Sequence, residues 1–155
     1  MDVGSVRVGV AISDADGLVA TPLTTLTRDP AHSEAAGAPG LAMLADLAAE
    51  RAALEIVIGL PRSLAGGEGP AARAARSYAE ALAGVLAARA MAVPIRLVDE
   101  RWSTVHASRL LRGSGTPGGE RQRRTVIDQA AAAVILQAAL DNERAVGSPP
   151  GEAMS

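Results

Sequence analysis

Two short, almost unbroken apolar runs, Ile56-Val57-Ile58-Gly59-Leu60 and Ile95-Arg96-Leu97-Val98, lie on either side of a long Ala-rich segment. Runs of this length without polar alternation belong to strands covered on both faces, the situation of parallel strands in an α/β sheet. Parallel neighbours need a crossover of a dozen or more residues. The intervening segment supplies one: Pro70, at a first-turn position, opens a helix expected to run to about Met91. Ahead of the first run, Leu41, Leu44, Leu47 and Leu54 recur at helical spacing, which predicts a helix from Leu41 to Ala53.

The remaining elements follow from the same rules. Val6 to Ser13 reads as a strand, Asp14-Ala15-Asp16-Gly17 as a turn, and Leu18 to Arg28 as a second strand, together a β-hairpin. After the second apolar run, Asp99-Glu100-Arg101 leaves the sheet, and Ser103 or Thr104 caps a short helix to about Arg112. Gly113 to Gly119 is a loop, and a last helix is expected from about Thr125 to Asn142. A hairpin followed by helix-strand alternation implies one mixed α/β sheet with helices on its faces. The chain divides into one domain over residues 1–143 and a flexible C-terminal tail over 144–155, with fraying from Gly147.

Composition narrows the class further. With 48% apolar residues in 155, the chain can bury a core and is not a disordered tail protein. No apolar run approaches the roughly 18 residues of a membrane span, and the start Met1-Asp2-Val3-Gly4 has no signal-peptide pattern. The absence of Cys removes disulfide frameworks and thiolate metal sites and fits a cytoplasmic location. All 15 basic residues are Arg, Ala occurs 34 times and Phe is missing, the imprint of GC-rich codons. The net charge of −2 gives no general attraction for nucleic acid. Between Arg101 and Ile127, however, six arginines stand against Glu120 alone, enough to neutralise several phosphates or simply to solvate a loop.

Three places put carboxylates at the edge of a regular element. Asp2 precedes the turn into the hairpin, Asp99 and Glu100 end a buried strand, and Asp128 lies in the first turn expected for the last helix. The carboxyl ends of strands are where open α/β sheets bind ligands. Each group also has an ordinary explanation: a terminal residue, a pairing with Arg101, or stabilisation by the helix dipole. Convergent carboxylates would repel one another unless a divalent cation sat among them, and hard oxygen donors suit Mg²⁺ or Mn²⁺. Two such ions clamp a phosphodiester. His32 and His106 have no partner at metal-ligand spacing and read as surface residues, Ser13, Ser63 and Ser103 lack a nucleophile elbow, and Gly66 to Gly69 matches no P-loop. Trp102 is read as covering the core rather than stacking on a base.

Four ordered blocks make the pattern specific: Asp2 to Asp14; Val57-Ile58-Gly59-Leu60-Pro61 with Gly66 to Gly69; Val98-Asp99-Glu100-Arg101-Trp102-Ser103-Thr104; and Ile127-Asp128-Gln129-Ala130-Ala131 with Ile135-Leu136-Gln137. Over residues 2–141 the chain resembles the YqgF/RuvX family. The resemblance implies an RNase H-like mixed sheet with helices on both faces, similar to the RuvC Holliday-junction resolvases. It implies metal-dependent phosphodiester hydrolysis in structured nucleic acid, with maturation of the 5′ end of pre-16S rRNA preferred over cleavage of a DNA junction. Asp2, Glu100 and Asp128 match the family's acidic positions and are expected as catalytic metal ligands for Mg²⁺ or Mn²⁺, with Asp99 the reserve for Glu100. Arg7, Arg101, Arg123 and Arg124 match basic positions and are expected to contact phosphates. A homodimer, a cytoplasmic location and no membrane partner accompany this reading.

Val6 and Ser103 depart from the family pattern, which usually has a polar residue and a Thr there. A larger departure is at the start, where the family has a first central strand of about five or six residues leading to the Asp and only Met1 precedes Asp2 here. A misassigned start codon would account for it, and a truncated central strand would leave neighbours without ladder partners and open a core void. Two other classes remain: a non-catalytic nucleic-acid-binding regulator on the same fold, and an actin-like sugar kinase or ATPase, which shares the Asp-x-Gly opening but normally needs two such domains.

Overall fold

The structure is a computed structural model and describes residues 1–28, 38–62, 67–100 and 120–154, with the backbone alone for 120–124. Its elements in chain order are β1 (Asp2–Val3), β2 (Arg7–Ser13), β3 (Ala20–Thr27), α1 (Pro39–Glu50), β4 (Ile56–Leu60), α2 (Pro70–Ala88), β5 (Ile95–Asp99), α3 (Glu120–Val146) and β6 (Glu152–Ala153). The short helix expected to follow Ser103 and the loop at 113–119 lie outside the described residues.

The first three strands form an antiparallel meander in the order β1-β2-β3, and β4 and β5 run parallel with β6 added antiparallel at the edge. Met1 joins the two sets. Its amino group donates to the Val57 carbonyl at 2.6 Å, and the Gly59 amide donates to the Met1 carbonyl at 3.0 Å. This is the bonding of a parallel ladder, so β1 lies between β2 and β4 and the strands make one mixed layer. Met1 thus engages Val57 and Gly59 of β4, its side chain is buried in the core, and β1 meets β2 only through Asp2 with Gly9 and Val3 with Val8.

Helices cover both faces, as the α/β reading required. On one side α1 and α2 bury Leu41, Leu44, Tyr78, Leu82 and Leu86 against Val8, Val10, Ile58 and Leu60. On the other side α3 lies across β2 and β3 with Ala132, Ile135 and Ala139 buried. The alternation of β2 does this: Val8 and Val10 enter the α1/α2 core, so Arg7 and Gly9 face α3. Buried Arg28 closes the turn before β2, donating from its guanidinium to the Gly4 carbonyl at 2.9 Å and lying 5.5 Å from the Tyr78 ring centroid. Among the described residues no helix is long and apolar enough to cross a membrane.

Three boundaries differ from the sequence expectation. Leu54 was counted in the stripe of α1, yet the helix ends at Glu50 and Leu54 is 88% exposed. Ala52 takes a positive φ of 49° there and turns the chain toward β4. Helix α3 begins at Glu120 rather than Thr125, which places Asp128 about two turns inside it. Stabilisation by the N-terminal dipole falls off within the first turn and no longer explains that carboxylate. Finally, the flexible tail expected over 144–155 is corrected: α3 continues to Val146, and Glu152–Ala153 pairs with Arg96 and Leu97 of β5. The Met154 amide donates to the Ile95 carbonyl at 2.9 Å, and Arg76 binds the Glu152 carboxylate at 2.9 Å. An edge strand offers unpaired backbone groups, and the returning tail satisfies them.

Candidate active site

The site is built on a row of residues running across the middle of the sheet. Thr25 of β3 pairs with Gly9 of β2, and Gly9 with Asp2 of β1. The Met1 bonds set Asp2 beside Gly59 of β4, which pairs in turn with Val98 of β5. Asp2 thus stands between two glycines on the face that α3 covers.

Both glycines are there for space. A Cβ on Gly9 would run into the backbone carbonyl of Asp128, with the Gln129 amide nitrogen 3.2 Å away. The backbone of α3 therefore rests directly on β2, and this contact brings Asp128 to Asp2. The Thr25 hydroxyl anchors the same stretch of helix, donating to the Thr125 carbonyl at 3.1 Å. A Cβ on Gly59 would meet the Glu100 carboxylate and lie 2.8 Å from Ile135 Cδ1. Glu100 thus folds back over Gly59 toward Asp2.

Register also separates the two adjacent acids at the end of β5. Gly59 pairs with Val98, so Glu100, two residues on, shares the α3 face, while Asp99 pairs with Leu60 and falls on the other. The sequence left Asp99 in reserve; the geometry brings Glu100 over Gly59 instead.

The electrostatics record the crowding. Burial first, then the Asp2 charge, with the amino terminus opposing and Asp99 adding, push the Glu100 carboxyl up to about 7. Burial likewise raises the Asp2 carboxyl, opposed by the amino terminus and reinforced by Asp128. Asp2 is thus coupled to both of the other acids. Asp128 has its own cation: Arg7 Nε donates to Asp128 Oδ2 at 2.6 Å. Among the described residues no group of three or more His, Asp and Glu side chains is arranged as a ready metal cage.

Of the expected residues, Asp2, Glu100, Asp128 and Arg7 come together on this face. Arg101, together with Trp102, Ser103, Thr104, His32, His106 and Ser63, lies outside the described residues, and Arg123 and Arg124 are described only as backbone of α3. Sequence reasoning missed the spacing role of Gly9 and Gly59 and the pairing of Arg7 with an acid. The alternation Arg7-Val8-Gly9-Val10 did carry a signal, since it puts the charge and the gap on one face.

The sequence matches the family described as RuvX: Holliday junction resolvase over residues 1–142. A Nocardioides protein named "Putative pre-16S rRNA nuclease" is 51% identical across 98% of this chain and 92% of its own length. A Streptomyces coelicolor protein of the same name is 50% identical across 98% of this chain and 84% of its own. Among solved structures, Thermus thermophilus RuvC superposes with a TM-score of 0.56 at 13% identity, covering 97% of this chain and 96% of that one. The same protein in complex with a Holliday junction substrate gives 0.56, covering 96% and 95%. At that identity the likeness carries the fold, which is the RNase H-like sheet with helices on both faces. With the family match spanning nearly its whole length, the chain belongs to the RuvX family.

Proposed function

We propose that this chain is a metal-dependent nuclease that hydrolyses phosphodiester bonds in structured nucleic acid, and that its task is maturation of the 5′ end of pre-16S rRNA in the cytoplasm. One observation carries the chemistry: Asp2, Glu100 and Asp128, far apart in the chain, converge over the Gly9–Asp2–Gly59 row, where burial and the Asp128 charge raise the proton affinity of Asp2, and burial and the Asp2 charge raise that of Glu100. The names of the half-identical relatives support the choice of RNA.

The donor set fits a hard divalent cation. All three groups are carboxylates, they repel in the absence of a counter-charge, and the two glycines let the Asp128 backbone and the Glu100 side chain close in on either side of Asp2. Asp2, Glu100 and Asp128 would hold Mg²⁺ or Mn²⁺. When bound, the metal supplies an activated water and stabilisation of the leaving oxygen. The chain's own part is placement: Gly9 seats Asp128 against the sheet, Gly59 admits Glu100, and α3 packs across β2 and β3. Arg101, Arg123 and Arg124 are proposed to bind flanking phosphates, and the sheet with its helices, through the end of α3 at Val146 and the returning β6, to form the nuclease domain, working as a homodimer.

Incubating the purified protein and Mg²⁺ with a pre-16S leader RNA and, in parallel, a four-way DNA junction tests the reading. Mg²⁺-dependent cleavage of the leader, abolished in Asp128→Asn, is expected. Cleavage of the junction alone would move the function to DNA recombination. Salt-sensitive binding of either without turnover would make the chain a non-catalytic regulator.

A further inference from the structure

We propose that Arg7 is a positioning residue: an internal counter-cation that holds Asp128 and competes with the divalent ion for its carboxylate. This rests on the reading of Asp128 as a metal ligand. The pair spans β2 and α3, with Nε 2.6 Å from Oδ2 and both side chains largely shielded, 29% and 24% exposed. Such a pair is less screened by salt than one in open solvent.

Its location gives it a role beyond pairing. Arg7 and Gly9 share one face of β2, Asp128 rests over Gly9, and Asp2 is the cross-strand partner of Gly9. The guanidinium therefore delivers its charge at the point where carboxylates crowd, which is also what a bound divalent ion would do. Neither cation can fully claim Oδ2 while the other holds it. In the metal-free protein Arg7 neutralises Asp128 and keeps α3 seated beside Asp2. A divalent ion bound there would take the place of the guanidinium, so that the charge balance at Asp128 is kept and the Arg7 side chain, 29% exposed, is freed from it.

Mn²⁺ binding, followed by the EPR signal of free Mn²⁺, tests this without any reference to turnover. Arg7→Gln should tighten Mn²⁺ binding by roughly three- to ten-fold, the scale of a partly shielded ion pair. Arg7→Lys, which keeps the charge but not the guanidinium geometry, should fall between parent and Arg7→Gln. In an Asp128→Asn background Arg7→Gln should change nothing, because the contested oxygen has lost its charge. Circular dichroism melts confirm that each variant is folded. If Arg7→Gln binds Mn²⁺ no better than the parent while Asp128→Asn binds it more weakly, the proposal fails and the metal site stands. If Asp128→Asn leaves Mn²⁺ affinity unchanged, the metal site itself is wrong and the proposal falls with it.

Discussion

Replacing either glycine of the central row by alanine separates two ways in which this fold depends on empty space. Neither Gly9 nor Gly59 has a positive φ, so the added methyl brings no backbone strain of its own. Without a steric penalty, Gly→Ala in a strand would stabilise by roughly 0.5–1 kcal/mol. At Gly9 the obstacles are the Asp128 carbonyl and, at 3.2 Å, the Gln129 amide nitrogen, both backbone of a helix that cannot yield locally. The whole of α3 has to lift off β2, uncovering Ala132 and Ile135 and stretching the Arg7–Asp128 pair. Overpacking costs about 1–3 kcal/mol where side chains adjust and more where they cannot. We therefore expect Gly9→Ala to cost about 3 kcal/mol or more. At roughly 2–4 °C per kcal/mol for a chain of this size, its Tm falls by about 6–12 °C. At Gly59 the obstacles are the ends of the Glu100 and Ile135 side chains, which can swing aside. Gly59→Ala should lose only about 1–2 kcal/mol, yet it expels Glu100 from beside Asp2 and should abolish cleavage. Thermal melts followed by circular dichroism, paired with the leader-cleavage assay, read both effects. A Gly9→Ala protein melting with the parent, or a Gly59→Ala protein of full activity, would refute the close seating of α3 and Glu100.

Three further outcomes are expected. In the metal-free protein Glu100 takes up its proton near pH 7 when folded and near the ordinary 4.5 when unfolded, so the native state binds more protons between those values and stability from this group falls as pH rises through that window. Melts from pH 5 to 8 should accordingly show a smaller loss for Glu100→Gln than for the parent; parallel curves would remove the buried acid from the account. Mg²⁺ or Mn²⁺ at about 100 times its Kd should stabilise the parent by about 2.7 kcal/mol, and Asp128→Asn much less, in the same melts. Arg76 binds Glu68 at 2.6 Å and Glu152 at 2.9 Å, so Arg76→Ala should speed amide exchange at Met154, while equal exchange would show β6 held by its backbone alone.

The sequence by itself determined the elements whose signals are local. The apolar runs at Ile56–Leu60 and Ile95–Val98, the Pro-opened helix between them and the hairpin with Gly17 at a φ of 64° all stand where hydrophobic periodicity and turn chemistry put them. The four ordered blocks also named the acids that the structure gathers. Tertiary structure alone decided what depends on register and contact across the chain. Which of Asp99 and Glu100 faces α3 follows from the pairing of Gly59 with Val98, and a shift of one residue would exchange them. The ion pair of Arg7 with Asp128 joins residues 121 positions apart, and the alternation around Arg7 shows which face it takes but not which acid it meets. The seat of Asp128 depends on a missing Cβ on another strand, and the return of the tail on an open edge of β5. Periodicity fixes what each segment is, because it reflects that segment's own faces. Which faces meet depends on a packing that all segments settle together.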